Sequence, residues 1–173
     1  MALKIVRGRT LPIGVDLGTS SAKLAQLRQV EGNYELVAAE AEEVPVAYRQ
    51  ELQPRLDFLA DSLRHIVKSK VFRGRQAILS LPAELTFVHH LKIPRVPDSE
   101  IPKVLRSELQ GKLPYEVDEA VIRHVVAGEL PGEGDGKQEV IVICAKRSVL
   151  EPCLAMARGA RLDVVGMNVE PCS

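Results

Sequence analysis

The sequence has no tryptophan, and only three phenylalanines and three tyrosines among 173 residues. Its core must therefore rest on Leu, Val, Ile and Ala. A stacking platform for single-stranded nucleic acid, which needs several exposed rings, is disfavoured. An excess of either charge is also lacking: 23 basic and 23 acidic residues balance to a formal net charge of zero. That balance argues against a generic basic nucleic-acid surface and against a polybasic membrane anchor. Cysteine is sparse. Cys144, Cys153 and Cys172 form no Cys-x-x-Cys pair, so neither a zinc ribbon nor a disulfide framework is indicated, and buried or spare thiols of a reducing compartment are expected. No stretch approaches the roughly 18 uninterrupted apolar residues of a spanning helix. The opening Met1–Arg9 lacks the apolar core of a signal peptide. A cytoplasmic chain is expected, with any membrane role coming through a partner.

What is present is an ordinary globular mixture, 46% hydrophobic and 27% charged, long enough for one domain or two small subdomains. Leu11–Leu17 reads as an apolar strand, after which Gly18-Thr-Ser-Ser21 reverses the chain. Ala22, Leu24 and Gln26 alternate with Lys23, Ala25 and Leu27 at a strand's period of two, and Tyr34–Glu42 resumes an extended pattern after a Glu31-Gly-Asn turn. Leu52, Leu56, Leu59, Leu63, Ile66 and Val67 share one helical face, and Ala77–Leu81 is a short buried strand. From residue 84 the order is strand Leu85–Ile93, helix about Ser99–Lys112 ended by Pro114, strands Ala120–Ala127 and Glu139–Ala145, a helix, and a last strand Leu162–Val169. This is a split β-α-β plan. Ser148 and Glu151 have the spacing of a capping box and are expected to open that last helix, which ends near Gly159.

The sharpest local signal is Ile13-Gly-Val-Asp16-Leu-Gly18-Thr19-Ser20-Ser21-Ala-Lys23. An apolar strand ends in Asp16, and a small polar turn feeds the next strand. Gly18 lets backbone approach a ligand closely, and successive N–H groups in such a turn can face phosphate oxygens. The hydroxyls of Thr19, Ser20 and Ser21 add donors, Lys23 can reach terminal phosphates, and Asp16 can hold a hydrated magnesium ion. A plain hairpin with small polar residues is the blander account of the same string.

Other candidates fail on inspection. Gly132-Glu-Gly-Asp-Gly136-Lys137 has Pro131 where a Walker loop needs glycine and Gln138 where it needs Ser or Thr, and a strand follows instead of a helix. It reads as a hairpin loop. His89 and His90 are neighbours on a strand and point to opposite faces, so they do not share a metal. No Gly-x-Ser-x-Gly elbow supports nucleophilic hydrolysis. Asp118-Glu119 reads as a solvated strand entry.

Asp16-Leu-Gly-Thr-Ser-Ser21 with Lys23 resembles the first phosphate motif of the actin, Hsp70 and sugar-kinase ATPases. Within that superfamily the chain resembles the N-terminal half of the PilM family, the cytoplasmic actin-like proteins of type IV pilus assembly. The carriers are LPIGVDLGTSSAKLAQL, then Leu105-Arg-Ser-Glu-Leu-Gln-Gly-Lys-Leu-Pro-Tyr-Glu-Val-Asp-Glu119, Val140-Ile-Val-Ile-Cys-Ala-Lys-Arg147 and Val164-Val-Gly-Met-Asn-Val-Glu-Pro171.

The resemblance implies a mixed α/β fold. Residues 1–81 and 161–173 would form a partial ribonuclease-H-like, actin-type subdomain, and residues 82–160 an inserted βαββα-type subdomain shared with the division protein FtsA. It implies a scaffold of the inner-membrane pilus platform that binds the extended N-terminal peptide of a PilN-like membrane protein and other platform proteins, peripheral to the inner membrane, with no nucleic acid. The family continues with a second lobe, a second phosphate motif and an adenosine motif, none of which lies in these 173 residues. Only Asp16, Gly18, Thr19, Ser20, Ser21 and Lys23 carry over as phosphate-side positions, with magnesium at Asp16 through water. ATP and magnesium would thus bind weakly or not at all, catalysis is not expected, and an exposed inter-lobe face would favour self-association. The alternative is the N-terminal part of a sugar kinase, which opens with a similar motif but would require sugar-binding residues not evident here.

Overall fold

A computed structural model describes residues 8–130 and 136–169, leaving out the side chains of 129 and 130. Most of the expected Gly132–Lys137 loop, the end of the Val-Glu-Pro segment and Cys172 lie outside the described residues. The elements are β1 (Arg9–Thr10), β2 (Ile13–Leu17), β3 (Ser21–Val30), β4 (Asn33–Glu43), α1 (Leu52–Lys68), β5 (Gln76–Leu81), β6 (Thr86–Pro94), α2 (Ile101–Leu109), β7 (Ala120–Leu130), β8 (Lys137–Lys146), α3 (Arg147–Gly159) and β9 (Asp163–Val169). They group into two units: residues up to Pro82 with those from Glu151 onward, and Ala83–Leu150.

The first unit is built on one mixed sheet. β3 is flanked by β4 and β2, both antiparallel to it. β5 then runs parallel to β2, and β9 parallel to β5. The short β1 continues beyond β2 against Arg28 and Gln29 of β3. This is the mixed α/β architecture that the actin-type resemblance implies.

Period-two alternation decides which face is buried. Ile13, Val15 and Leu17 of β2, Ala22, Leu24 and Gln26 of β3, and Ala77, Leu79 and Leu81 of β5 are all buried. Helix α1 contributes Leu56, Leu59 and Leu63 to the core, and α3 contributes Cys153, Met156 and Ala157. The two helices meet closely. A Cβ on Gly159 would stand 3.3 Å from that of Ala60, and Arg64 Nε donates to the Gly159 carbonyl at 2.7 Å. These contacts explain why α3 from Glu151 onward groups with the first unit, whereas the resemblance implies an insert running to residue 160. The helix also starts at Arg147, so Ser148 lies inside its first turn. The Ser148–Glu151 spacing does not mark its start.

Gln26 is the one polar side chain in the buried row. Its Nε2 donates to the carbonyls of Leu11 at 2.9 Å and Arg73 at 2.8 Å, and its Oε1 accepts from the Arg73 N–H at 2.7 Å. One amide thereby joins β3 to the segments entering β2 and β5.

The second unit is a three-stranded sheet in the order β6-β8-β7, with β8 antiparallel to both neighbours. β6 and β7 are therefore parallel, joined by α2 and separated by β8, which is the split β-α-β arrangement. Helix α2 covers one face, packing Ile101, Leu105 and Leu109 against Ile93, Val140, Val142 and Cys144. His89 and His90 pair with Val142 and Ile141 respectively, so they do stand on opposite faces.

Cys144 and Cys153 are free and buried. Burial pushes each thiol up to about 11, with Arg55 partly opposing the shift at Cys153. A thiol that ionises less readily when folded stabilises the native state below its unfolded pKa of 9.0 and loses that contribution as pH rises toward 11. Replacing both cysteines with alanine is therefore expected to flatten the fall in unfolding midpoint between those two pH values. An alkaline fall of equal steepness in the double variant counts against the assignment.

Candidate functional site

The strand-turn-strand of β2 and β3 brings the predicted phosphate-side residues together. Asp16 and Lys23 face each other across the two strands, with Lys23 Nζ 3.8 Å from Asp16 Oδ2 and both side chains partly exposed. The turn between them is tight. A Cβ on Gly18 would come within 2.7 Å of the Ser21 carbonyl oxygen, so any larger residue would force the turn open. Thr19 and Ser20 are exposed at its tip. The Ser20 carbonyl accepts the Val44 N–H at 2.9 Å, anchoring the turn to the end of β4. The turn is thus held while its hydroxyl side stays open to solvent.

Pairing across the sheet extends the site beyond this motif. Asp16 lies opposite Ser80 of β5, and Ser80 opposite Asn168 of β9. With Lys23 they form one row, Lys23–Asp16–Ser80–Asn168, on the face away from the buried core. The adjoining row is small or aliphatic: Ala39, Ala25, Gly14, Ile78 and Gly166. Apart from Gly166, these residues border an open cavity of about 790 Å³ lined by Asp16, Lys23, Ser80 and Asn168, among others. Ser80 Oγ is enclosed and has no hydrogen-bond partner among the described residues, which marks a place for an incoming polar group or water. Ser80 carried no motif, and Asn168 stood in the Val164–Pro171 segment without being singled out as a site residue. The one signal for Ser80 was a polar residue inside the apolar stretch Ala-Ile-Leu-Ser-Leu of β5.

Chemically, the row provides one carboxylate, one ammonium, a hydroxyl and an amide beside a turn with two exposed hydroxyls. Such a set can bind an anionic oxygen-rich group and, through water, a divalent cation at Asp16. Among the described residues no cluster of three or more His, Cys, Asp or Glu side chains could hold a metal directly.

The sequence pattern of the family described as type IV pilus assembly protein PilM matches residues 14–172. The chain belongs to this family. In solved structures, the PilM fold is matched by a chain of the "PilM-PilN type IV pilus biogenesis complex", at a TM-score of 0.79 and 23% identity, covering 92% of this chain and 47% of that one. The chain thus spans about half the length of that relative. The cytoplasmic domain of EpsL, an inner membrane component of the type II secretion system of Vibrio cholerae, matches at a TM-score of 0.59 and 15% identity, over 90% of this chain and 56% of that domain. No match was found among curated proteins. The chain shares the mixed α/β fold of that PilM chain, and its β2–β3 turn carries Asp16–Lys23. Among the described residues, no helix of this PilM-family chain is long and apolar enough to cross a membrane.

Proposed function

We propose that the chain is a non-catalytic adaptor of the type IV pilus inner-membrane platform, one that binds the cytoplasmic N-terminal peptide of a PilN-like membrane protein and reaches the membrane through it. The family match across residues 14–172 carries this reading. It extends far past the Asp16–Lys23 string, which a sugar kinase would share, and so favours the pilus role over the kinase alternative. The likeness to the chain solved with PilN supports the choice of partner.

Fluorescence anisotropy with a labelled N-terminal peptide of the PilN-like protein tests it. Saturable binding is expected, absent with a scrambled peptide and independent of magnesium-ATP. No binding by a demonstrably folded chain rejects the adaptor reading.

The phosphate-side half-site is a second part of the proposal. Asp16, Gly18, Thr19, Ser20, Ser21 and Lys23 would hold the triphosphate end of ATP, with magnesium on Asp16 through water. The tight Gly18 turn, the exposed Thr19 and Ser20 and the unpartnered Ser80 Oγ fit such a group. Bound magnesium-ATP would supply charge and rigidity at the open face. The cavity is open, so much of a nucleotide held by these residues alone would face water, and their own affinity is expected to be low. Lys23→Ala removes the ammonium and is expected to weaken magnesium-triphosphate binding about tenfold, the effect of losing a charge-assisted contact. Peptide binding should not change. An unaltered triphosphate affinity, measured by calorimetry, removes Lys23 from the phosphate role.

A further inference from the structure

The second unit has an unused binding edge. β7 pairs only with β8, so the backbone groups on its outer side have no strand partner among the described residues. Edge strands of this kind are the usual template for strand addition. Alongside Ala120–His124 of β7 runs a groove of about 550 Å³, bounded on its other side by α2 through Leu105 and Arg106. A groove between an edge strand and a helix has the shape that admits one extended peptide: the edge takes its backbone, the groove its alternate side chains.

The charge in that groove is one-sided. Arg106, Arg123 and Arg147 all line it, in a chain whose overall charge is zero. Only Arg106 has an acidic partner: its Nη1 lies 3.1 Å from Asp118 Oδ1, on a side chain that is 93% exposed and so readily displaced. Arg123 and Arg147 have no acidic partner among the described residues. Arg123 instead folds back so that its Nη1 donates to the Ile122 carbonyl at 2.9 Å, on the strand that lines the groove. A free anion would leave the carbonyls of the edge unused, whereas a strand satisfies donors and acceptors alike. Two β7 edges pairing with each other would bring their arginines together, which opposes self-association through this edge.

We infer that the groove between α2 and β7 is a docking site for an acidic, extended segment of a partner protein. That segment adds to β7 as a fourth strand, places apolar side chains toward Pro102 and Ile122 on the α2 side and carboxylates toward Arg123 on the other, with Arg106 and Arg147 flanking the groove. The inference rests on the geometry of residues 83–150 alone and not on the PilN-like reading.

The test uses the full chain and a dye-labelled, end-blocked peptide of alternating Glu and Val, followed by anisotropy. Saturable binding is expected, lost when Lys replaces Glu. It should also fall at least about tenfold in the Arg106→Glu/Arg123→Glu variant, as for the loss of close charge pairs. Two peptides N-methylated on opposite edges separate strand addition from charge attraction, because only one should bind. The proposal is overturned by absence of binding, by equal binding of both N-methylated peptides, or by unchanged affinity in a folded double variant. It is also overturned if a short RNA displaces the peptide and binds more tightly, since the groove would then be a nucleic-acid surface. If the double variant does not fold, the single Arg147→Ala substitution carries the same comparison.

Discussion

Replacing Gln26 with leucine is expected to cost about 3 kcal/mol of unfolding free energy, among the largest effects of any single substitution in the first unit. Leucine has a similar volume, so packing against Leu24 and its neighbours is largely kept. What is lost is the fit of one amide to three backbone groups: the carbonyls of Leu11 and Arg73, and the Arg73 N–H. Gln26 is only 1% exposed, so water replaces these bonds only where the flanking segments move apart. Each buried backbone group left without a partner costs about 1–3 kcal/mol. For a chain of this size the loss corresponds to a fall in melting temperature of about 10 °C. Urea unfolding monitored by circular dichroism gives the value directly, with an unchanged m-value showing that native-state stability itself has moved. A cost below about 1 kcal/mol would mean that the segments entering β2 and β5 re-solvate freely and that Gln26 does not hold them.

The second large effect is expected from Leu105→Ala, and it should be local. Leu105 is fully buried on α2, in a cluster with Ile93, Ile101, Leu109, Val140, Val142 and Cys144. Removing three carbons there loses transfer free energy and leaves a cavity, together costing about 2–5 kcal/mol. None of these residues belongs to the first unit, whose core is Ile13, Leu24, Leu59, Leu63 and Leu79. Hydrogen exchange should therefore show lost protection in β6, β7 and β8 and retained protection in β2 and β5. Equal loss throughout both sheets would show that the two cores unfold as one cooperative unit.

Much of the local structure was legible from residue order. Ile13, Val15 and Leu17 alternate with Gly14 and Asp16, and that pattern alone turns Asp16 to the face opposite the core. Gly18 in a small polar turn announces a tight reversal, and the backbone does approach too closely there for a Cβ. The leucines of α1 predict its buried face. The alternation of Ala22, Leu24 and Gln26 predicts that Gln26 points inward, although not how its amide is satisfied.

Other features depend on residues far apart in the chain. Ser80 and Asn168 join the Asp16–Lys23 site only because β5 and β9 align parallel to β2, and the register of such non-local strands is set by tertiary packing. Arg55 sits on a helix where a charged side chain would be expected to reach water, yet it is buried. Helix α3 follows β8 directly in sequence but packs through Cys153, Met156, Ala157 and Gly159 into the other unit.

The sequence by itself determined most of the elements, the inward faces of β2, β3, β5 and α1 and the tight turn between β2 and β3, because periodicity, turn chemistry and glycine geometry act over a few residues. Only the tertiary structure decided the Lys23–Asp16–Ser80–Asn168 row, the partners of Gln26 and the cationic groove beside β7. Each requires side chains from distant segments to meet at a particular strand register, and that register is chosen by the burial of whole sheet faces.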